Sequence, residues 1–171
     1  MLNTPKLKKF LTVLSITLLL VSACEETPND VNQSKDALLL NSISESLKIN
    51  APASKVWQVL TDPQFAKILG NEFDQNAYQE SDWKLGSKVY FKYAPDKIVA
   101  TGIILKLQED KLIQVDYDFD GFLYSEKYTL SSNINTTILQ LDAGPYTSDY
   151  EQQIVVWNNW MLKVKALSET N

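Results

Sequence analysis

The sequence predicts an α+β domain in which a curved antiparallel sheet wraps on one long C-terminal helix. Three observations predict it. Five segments between residues 88 and 141 alternate apolar and polar side chains with period two, as half-buried strands do. Two short helix signals, at 52–60 and 62–69, follow one early strand. The segment 148–169 repeats apolar groups at intervals of three and four, which gathers them on one helix face. A sheet with one dry face needs a cover, and a single long helix supplies it.

The elements follow in order. "SLKIN" (46–50) places Leu47 and Ile49 together and predicts the first strand. In "APASKVWQVL", Pro52 suits a helix start, and Val56, Trp57, Val59 and Leu60 form an apolar stripe. In "TDPQFAKIL", Asp62 can cap a second helix with Pro63 at its first position, where a missing N–H costs nothing. Residues 71–87 read as loop, with a short strand near Ala77 to Glu80. "KVYFKY" (88–93) sets Val89, Phe91 and Tyr93 inward, and Lys88, Tyr90 and Lys92 outward. "VATGIILKL" (99–107) sets Val99, Thr101, Ile103, Leu105 and Leu107 inward. "LIQVDYDF" (112–119) does so for Ile113, Val115, Tyr117 and Phe119. "YSEKYTL" (124–130) aligns Tyr124, Glu126, Tyr128 and Leu130, and "NTTILQL" (135–141) aligns Thr137, Leu139 and Leu141. Short turn-forming stretches separate these segments, so the expected sheet is an antiparallel meander. The last segment opens with Ser148 and Glu151 at capping-box spacing. Its stripe is Tyr150, Ile154, Trp157, Met161 and Val164, widened by Val156, Trp160 and Leu167.

A different kind of sequence precedes this domain. Lys6, Lys8 and Lys9 lead into an apolar run from Phe10 to Val21, followed by Ser22, Ala23 and Cys24. The run falls short of the roughly 20 residues a spanning helix needs. "VSAC" resembles the lipobox of bacterial lipoproteins, which are cut before the cysteine and lipidated on it. An ordinary secretory leader with a chance cysteine is the alternative. The expected organisation is a leader at 1–23, a lipidated Cys24 with a polar tether at 24–42, and the domain at 43–169. The tether "EETPNDVNQSKD" would span about 20 Å as a coil. Glu25, not Asp, follows Cys24. That resembles lipoproteins sorted to the outer membrane, so the expected place is the cell envelope, lipid-anchored on the outer membrane or periplasmic face.

Composition excludes several chemistries. There is no histidine, and all sixteen basic residues are lysine. A Ser-His-Asp triad, a Cys-His pair and a His-ligated zinc are therefore impossible, and no guanidinium fork can clasp phosphate. Cys24 is the only cysteine, so no disulfide can form within the chain. Net charge is -5, and loss of the leader takes three lysines with it, leaving thirteen against 21 acids. Nucleic acid is not an expected partner. Asp116, Asp118 and Asp120 alternate on one face but lack the closing Glu of a calcium loop, so they read as a solvated acidic face. No metal and no cofactor is expected.

The stretches "INAPASKVWQVLTDPQ" (49–64), "SDWKLGS" (81–87), "TGIILKLQEDKLIQVDY" (101–117) and "WNNWMLKVKALSE" (157–169) resemble the activator-of-heat-shock-protein-ATPase-like family. That family belongs to the START and birch-pollen-allergen superfamily, which has the helix-grip fold. The resemblance covers about residues 45–169. It implies a cavity between the sheet and the long helix, where many relatives bind apolar or amphipathic small molecules. The cochaperone role in the family's name does not fit a protein held outside the inner membrane.

The faces assigned inward are rich in rings. Trp57, Phe91, Tyr93, Tyr117, Tyr124, Tyr128, Trp157 and Met161 can line a pocket, where rings supply area and hydroxyls fix orientation. The same residues can also be plain core. Glu126 is the one charged residue whose strand parity points inward. Buried between Tyr124 and Tyr128, it would have a raised pKa and serve as general acid or base. In an edge strand, or shifted by one residue, it would sit in water. The leading functional expectation is a monomeric, membrane-tethered module for a small hydrophobic or amphipathic molecule. The alternatives are an enzyme of the same fold acting on a lipid- or polyketide-like substrate, and an interaction protein with a filled core.

Overall fold

The computed structural model describes residues 41–119, 121–146 and 149–170. The expected leader, Cys24, the tether as far as 40 and Ser148 of the capping box lie outside the described residues. So does the side chain of Phe119.

Seven strands and three helices follow one another as β1 (Asn41–Ile49), α1 (Ala53–Thr61), α2 (Pro63–Gly70), β2 (Ala77–Glu80), β3 (Lys88–Tyr93), β4 (Lys97–Gln108), β5 (Leu112–Phe119), β6 (Phe122–Asn133), β7 (Thr136–Tyr146) and α3 (Tyr150–Glu169). The strands form one antiparallel sheet in the order β1-β7-β6-β5-β4-β3-β2. All but one of the neighbours are consecutive in sequence, as a meander requires. The exception is β1, which closes onto β7 with Leu47 opposite Leu139. The first strand is longer than "SLKIN" suggests: it starts at Asn41, so the expected tether overlaps its first two residues.

Local chemistry explains the helices. Pro52 stands at the N-cap of α1 and its carbonyl accepts the N–H groups of Lys55 and Val56. Asp62 ends α1 and starts α2: its backbone N–H returns to Gln58, while its side chain accepts the Gln64 N–H at 3.0 Å. Gly70 closes α2 against β2, where an added Cβ would lie 2.2 Å from the Ala77 carbonyl oxygen. Only a residue without Cβ permits that approach.

The C-terminal helix runs along β1 and is tied to it at both ends. The Tyr150 hydroxyl meets the Ser42 carbonyl at 3.4 Å. Near the far end, Lys165 Nζ donates to the Lys48 carbonyl, and Glu169 Oε1 accepts the Asn50 N–H, both at 2.7 Å. The stripe forecast for this helix is the buried one. Trp157, Trp160, Met161 and Val164 are all at most 4% exposed and join the core of Ile113, Val115, Leu139 and Leu141. The helix starts with Asp149 in the N-cap place, and its side chain makes no capping bond.

One strand departs from the expected parity. In β4, Ala100, Gly102 and Ile104 face the core, while Ile103 and Leu105 are exposed. Both faces of "VATGIILKL" are apolar enough to be buried, so alternation alone favoured the bulkier set. Pairing decides otherwise: Gly102 lies opposite Tyr117 and Ile104 opposite Val115, and cross-strand partners share a face. A bulge between Ile104 and Lys106 then shifts the parity, which returns Leu107 to the core side. Opposite the step from Phe91 to Lys92 in β3, β4 carries an extra residue, Val99, between their partners Ala100 and Ile98. Lys92, expected in water, is covered and held by Glu80 at 3.0 Å and Asp96 at 2.9 Å.

Candidate functional site

The sheet's curl leaves a cavity of about 400 Å³ between strands β3 to β7 and the first turn of α3. Its volume lies in the range of small-molecule sites, roughly 300 to 1,000 Å³. The small inward residues of β4 make room for it. Gly102 is the clearest case: a Cβ there would stand 2.5 Å from Val115 Cγ1 and 2.7 Å from the Tyr117 ring. With hydrogen in that place, the Tyr117 ring lies close across β4.

Of the residues forecast for a pocket, Phe91, Tyr117, Tyr124 and Glu126 line this cavity. Tyr128, Trp157 and Met161 are buried core beside it. Trp157 touches the site through its ring nitrogen, which donates to the Tyr146 hydroxyl at 2.6 Å. Tyr93 stacks edge-on with Phe91 outside the cavity wall, with ring centroids 6.1 Å apart. Trp57 packs half-buried on α1, and its side chain takes no part in the cavity.

Sequence reasoning missed Phe73, Gln79, Phe122, Tyr146 and Gln153, all of which line the cavity. Tyr146 is out of phase with inward Leu141 and Ala143, and a register shift opposite Asn41 and Ile43 brings it to the cavity. Phe122 opens β6 and shares the parity of Tyr124 and Glu126, whereas Phe73, Gln79 and Gln153 come from a loop, a short strand and the helix start, where no periodicity marks a direction. Phe73, Gln79 and Phe91 also line a second cavity, of about 270 Å³, beside α2 and β2. The Phe73 and Phe91 rings meet edge to face at 5.9 Å.

A polar network covers one end of the larger cavity. Glu126 Oε2 accepts the Tyr128 hydroxyl at 2.7 Å and the Tyr117 hydroxyl at 3.3 Å. Gln79 Nε2 donates in turn to the Tyr117 oxygen at 3.3 Å. Tyr124 and Tyr146 share a hydrogen bond of 2.6 Å. The expectation of a solvated Glu126 does not hold. Its strand is flanked by β5 and β7, its partners Val115 and Ala143 are both inward, and it is 8% exposed. Burial pushes its carboxyl up to about 7, against the opposing pull of hydrogen bonds from Tyr128, Tyr117 and Gln79. Burial likewise holds the hydroxyls of Tyr117, Tyr124, Tyr128 and Tyr146 above their ordinary value.

This arrangement can hold an apolar body against rings and present one titratable carboxyl to it. The acidic residues at the end of β5 do something simpler. Asp116 accepts from Ser125 Oγ at 2.8 Å, and Asp118 accepts the Gly121 N–H of the turn at 2.6 Å. Among the described residues no group of three potential metal ligands comes together.

Solved structures of the same fold are known. The protein CV1439 from Chromobacterium violaceum is 21% identical, with a TM-score of 0.61 over 77% of this chain and 99% of its own. PFC0360w, an HSP90 activator from Plasmodium falciparum, is 14% identical, with a TM-score of 0.60 over 74% of this chain and 94% of its own. The Aha1 dimer from Colwellia psychrerythraea is 17% identical, with a TM-score of 0.61 over 76% of this chain and 98% of its own. At such identities these likenesses concern the fold. No curated protein matches the sequence. The model of the family described as activator of Hsp90 ATPase homolog 1-like protein matches residues 50–167, more than half of the sequence, and the chain belongs to that family.

Proposed function

We propose that this protein is a lipid-anchored binding module of the cell envelope, which takes a small hydrophobic or amphipathic molecule into the cavity above. The observation that carries the reading is the cavity itself: about 400 Å³, ring-lined, with Glu126 in its wall. A filled core would leave no such space. Each ligand methylene buried there contributes roughly 0.8 kcal/mol, so a short apolar chain suffices for micromolar binding. The anchor is Cys24, behind the short apolar run and the "VSAC" motif. Several acyl chains hold a protein to a membrane where one does so marginally. The module acts as a monomer on the outer membrane or periplasmic face.

Native mass spectrometry of the protein purified from its source tests the binding reading. A co-purifying small molecule, released on unfolding, is expected; a homogeneous empty mass discards it. Labelling with a palmitate analogue tests the anchor. Label on the wild type that is absent from Cys24→Ser is expected, and an unlabelled wild type discards lipidation.

One observation favours a second reading. A buried carboxyl with a pKa near neutrality is the usual equipment of a general acid or base, so Glu126 supports an enzyme acting on a lipid- or polyketide-like substrate. Turnover of a bound ligand that is lost in Glu126→Gln separates this from simple binding.

A further inference from the structure

The larger cavity carries charge of one sign. Glu126 forms part of its wall, Asp149 stands at its rim, and none of the residues that line it is a lysine. Beside the carboxylate the rings make a concave corner. Tyr124 is 6.0 Å from Tyr117 with their planes 46° apart, and 5.4 Å from Tyr146 with their planes 66° apart. Ring faces are electron-rich and attract a cation placed within about 6 Å of the centroid. A buried carboxylate adds a full opposite charge in a medium where charges act strongly on one another.

Resting on the binding reading above, we propose that the ligand carries a cationic head, a protonated amine or a quaternary ammonium, seated against Glu126 in the corner of Tyr117, Tyr124 and Tyr146. Its apolar part runs along Phe91 and Phe73. The hydroxyls of Tyr117 and Tyr128 already point at Glu126 Oε2, so the carboxylate is held in place before the ligand arrives. An anionic head would meet Glu126 and Asp149 with no ammonium among the lining residues to answer it. A neutral head would fill the space and gain nothing from the charge.

The electrostatics of the empty site agree. Among the described residues Glu126 has no cation beside it, and burial lifts its carboxyl to about 7. A bound cation supplies the missing counter-charge and favours the ionised form. The groups facing Glu126 are Tyr117 from β5, Tyr124 and Tyr128 from its own strand, Tyr146 from β7, and Asp149 ahead of α3. The four tyrosines are held above their ordinary value and stay neutral near pH 7. Gln79, Phe91 and Gln153, from β2, β3 and α3, do not titrate. Asp149 is exposed at the rim, so Glu126 is the buried group whose ionisation governs cation binding.

The test is a matched series titrated into the full chain: phenylbutyltrimethylammonium, phenylbutanol and phenylbutyrate, followed by tryptophan fluorescence or calorimetry. The cation is expected to bind about tenfold more tightly than the alcohol, and the carboxylate more weakly than either. The cation's affinity should fall about tenfold from about pH 8 to about pH 6, because protonation of Glu126 removes the counter-charge. Glu126→Gln should cut the cation's advantage over the alcohol severalfold, to what the ring faces alone supply, and flatten the pH dependence. Equal binding of cation and alcohol by the wild type overturns the cationic head and leaves the cavity reading standing. So does a cation preference undiminished in Glu126→Gln. Binding of none of the three overturns both.

Discussion

Tyr128 donates its hydroxyl to Glu126 Oε2 at 2.7 Å, from two positions along the same strand. Residues i and i+2 of a strand share a face, so the bond exists because both side chains turn inward. Tyr117 reaches the same oxygen from the neighbouring strand at 3.3 Å. A carboxyl that would otherwise stand alone in the core is held by two phenols, and its titration becomes a property of the fold.

That titration sets the first prediction. Glu126 has an ordinary value of 4.5, and in the folded protein it rises to about 7. Between those values the folded state binds the extra proton, so stability is full at the acid end and falls as pH rises. The loss amounts to roughly 3 kcal/mol by neutral pH. Urea denaturation across this window should show the decline in the wild type. Glu126→Gln should remove it and be the more stable of the two above about pH 7. Parallel pH profiles for the two proteins contradict the burial of this group.

Tyr146 is the second target. Its hydroxyl accepts the Trp157 ring N–H and shares a bond with Tyr124, both at 2.6 Å. Tyr146→Phe keeps the ring and leaves the buried Trp157 nitrogen without that acceptor. A loss of about 1 to 3 kcal/mol in stability is expected, with a shift in tryptophan fluorescence. A variant with unchanged emission and stability shows that the bond carries no weight.

Gly102 supplies the third. Its missing Cβ is what allows the close approach of Tyr117 and Val115. Gly102→Ala should cost about 1 to 3 kcal/mol by overpacking and push Tyr117 towards the cavity, weakening ligand binding as well. Chemical denaturation and a binding titration read the two effects. An alanine variant as stable as the parent would mean that the strands give way without cost.

Ser168 supplies the fourth, with the opposite sign. It lies in α3, 3% exposed, and its hydroxyl has no hydrogen-bond partner among the described residues. Ser168→Ala removes an unsatisfied buried group and adds a better helix former. The melting midpoint should rise, by the equivalent of about 1 kcal/mol. A fall would mean that the hydroxyl has a partner in solution.

The order of elements, the inward stripe of α3 and the parity of β5, β6 and β7 were legible in the amino-acid sequence, because each rests on a periodicity of one segment. Asp62 with Pro63 marked the break between α1 and α2, because capping is chemistry local to a few residues. The cavity wall was only partly legible. Phe91, Tyr117, Tyr124 and Glu126 announced themselves by alternation, whereas Phe73 and Gln79 lie outside any strong pattern.

By itself, then, the sequence determined the helix-grip architecture and the absence of histidine, arginine and disulfide chemistry, since composition and period depend on no distant contact. Tertiary structure decided the facing of β4, the burial of Glu126 and Lys92, and the hollow under α3. Each of these turns on which strand lies beside which: Gly102 faces inward because Tyr117 is its partner, and Glu126 is dry because β5 and β7 flank it. Such pairings join residues far apart along the chain, and no local pattern carries them.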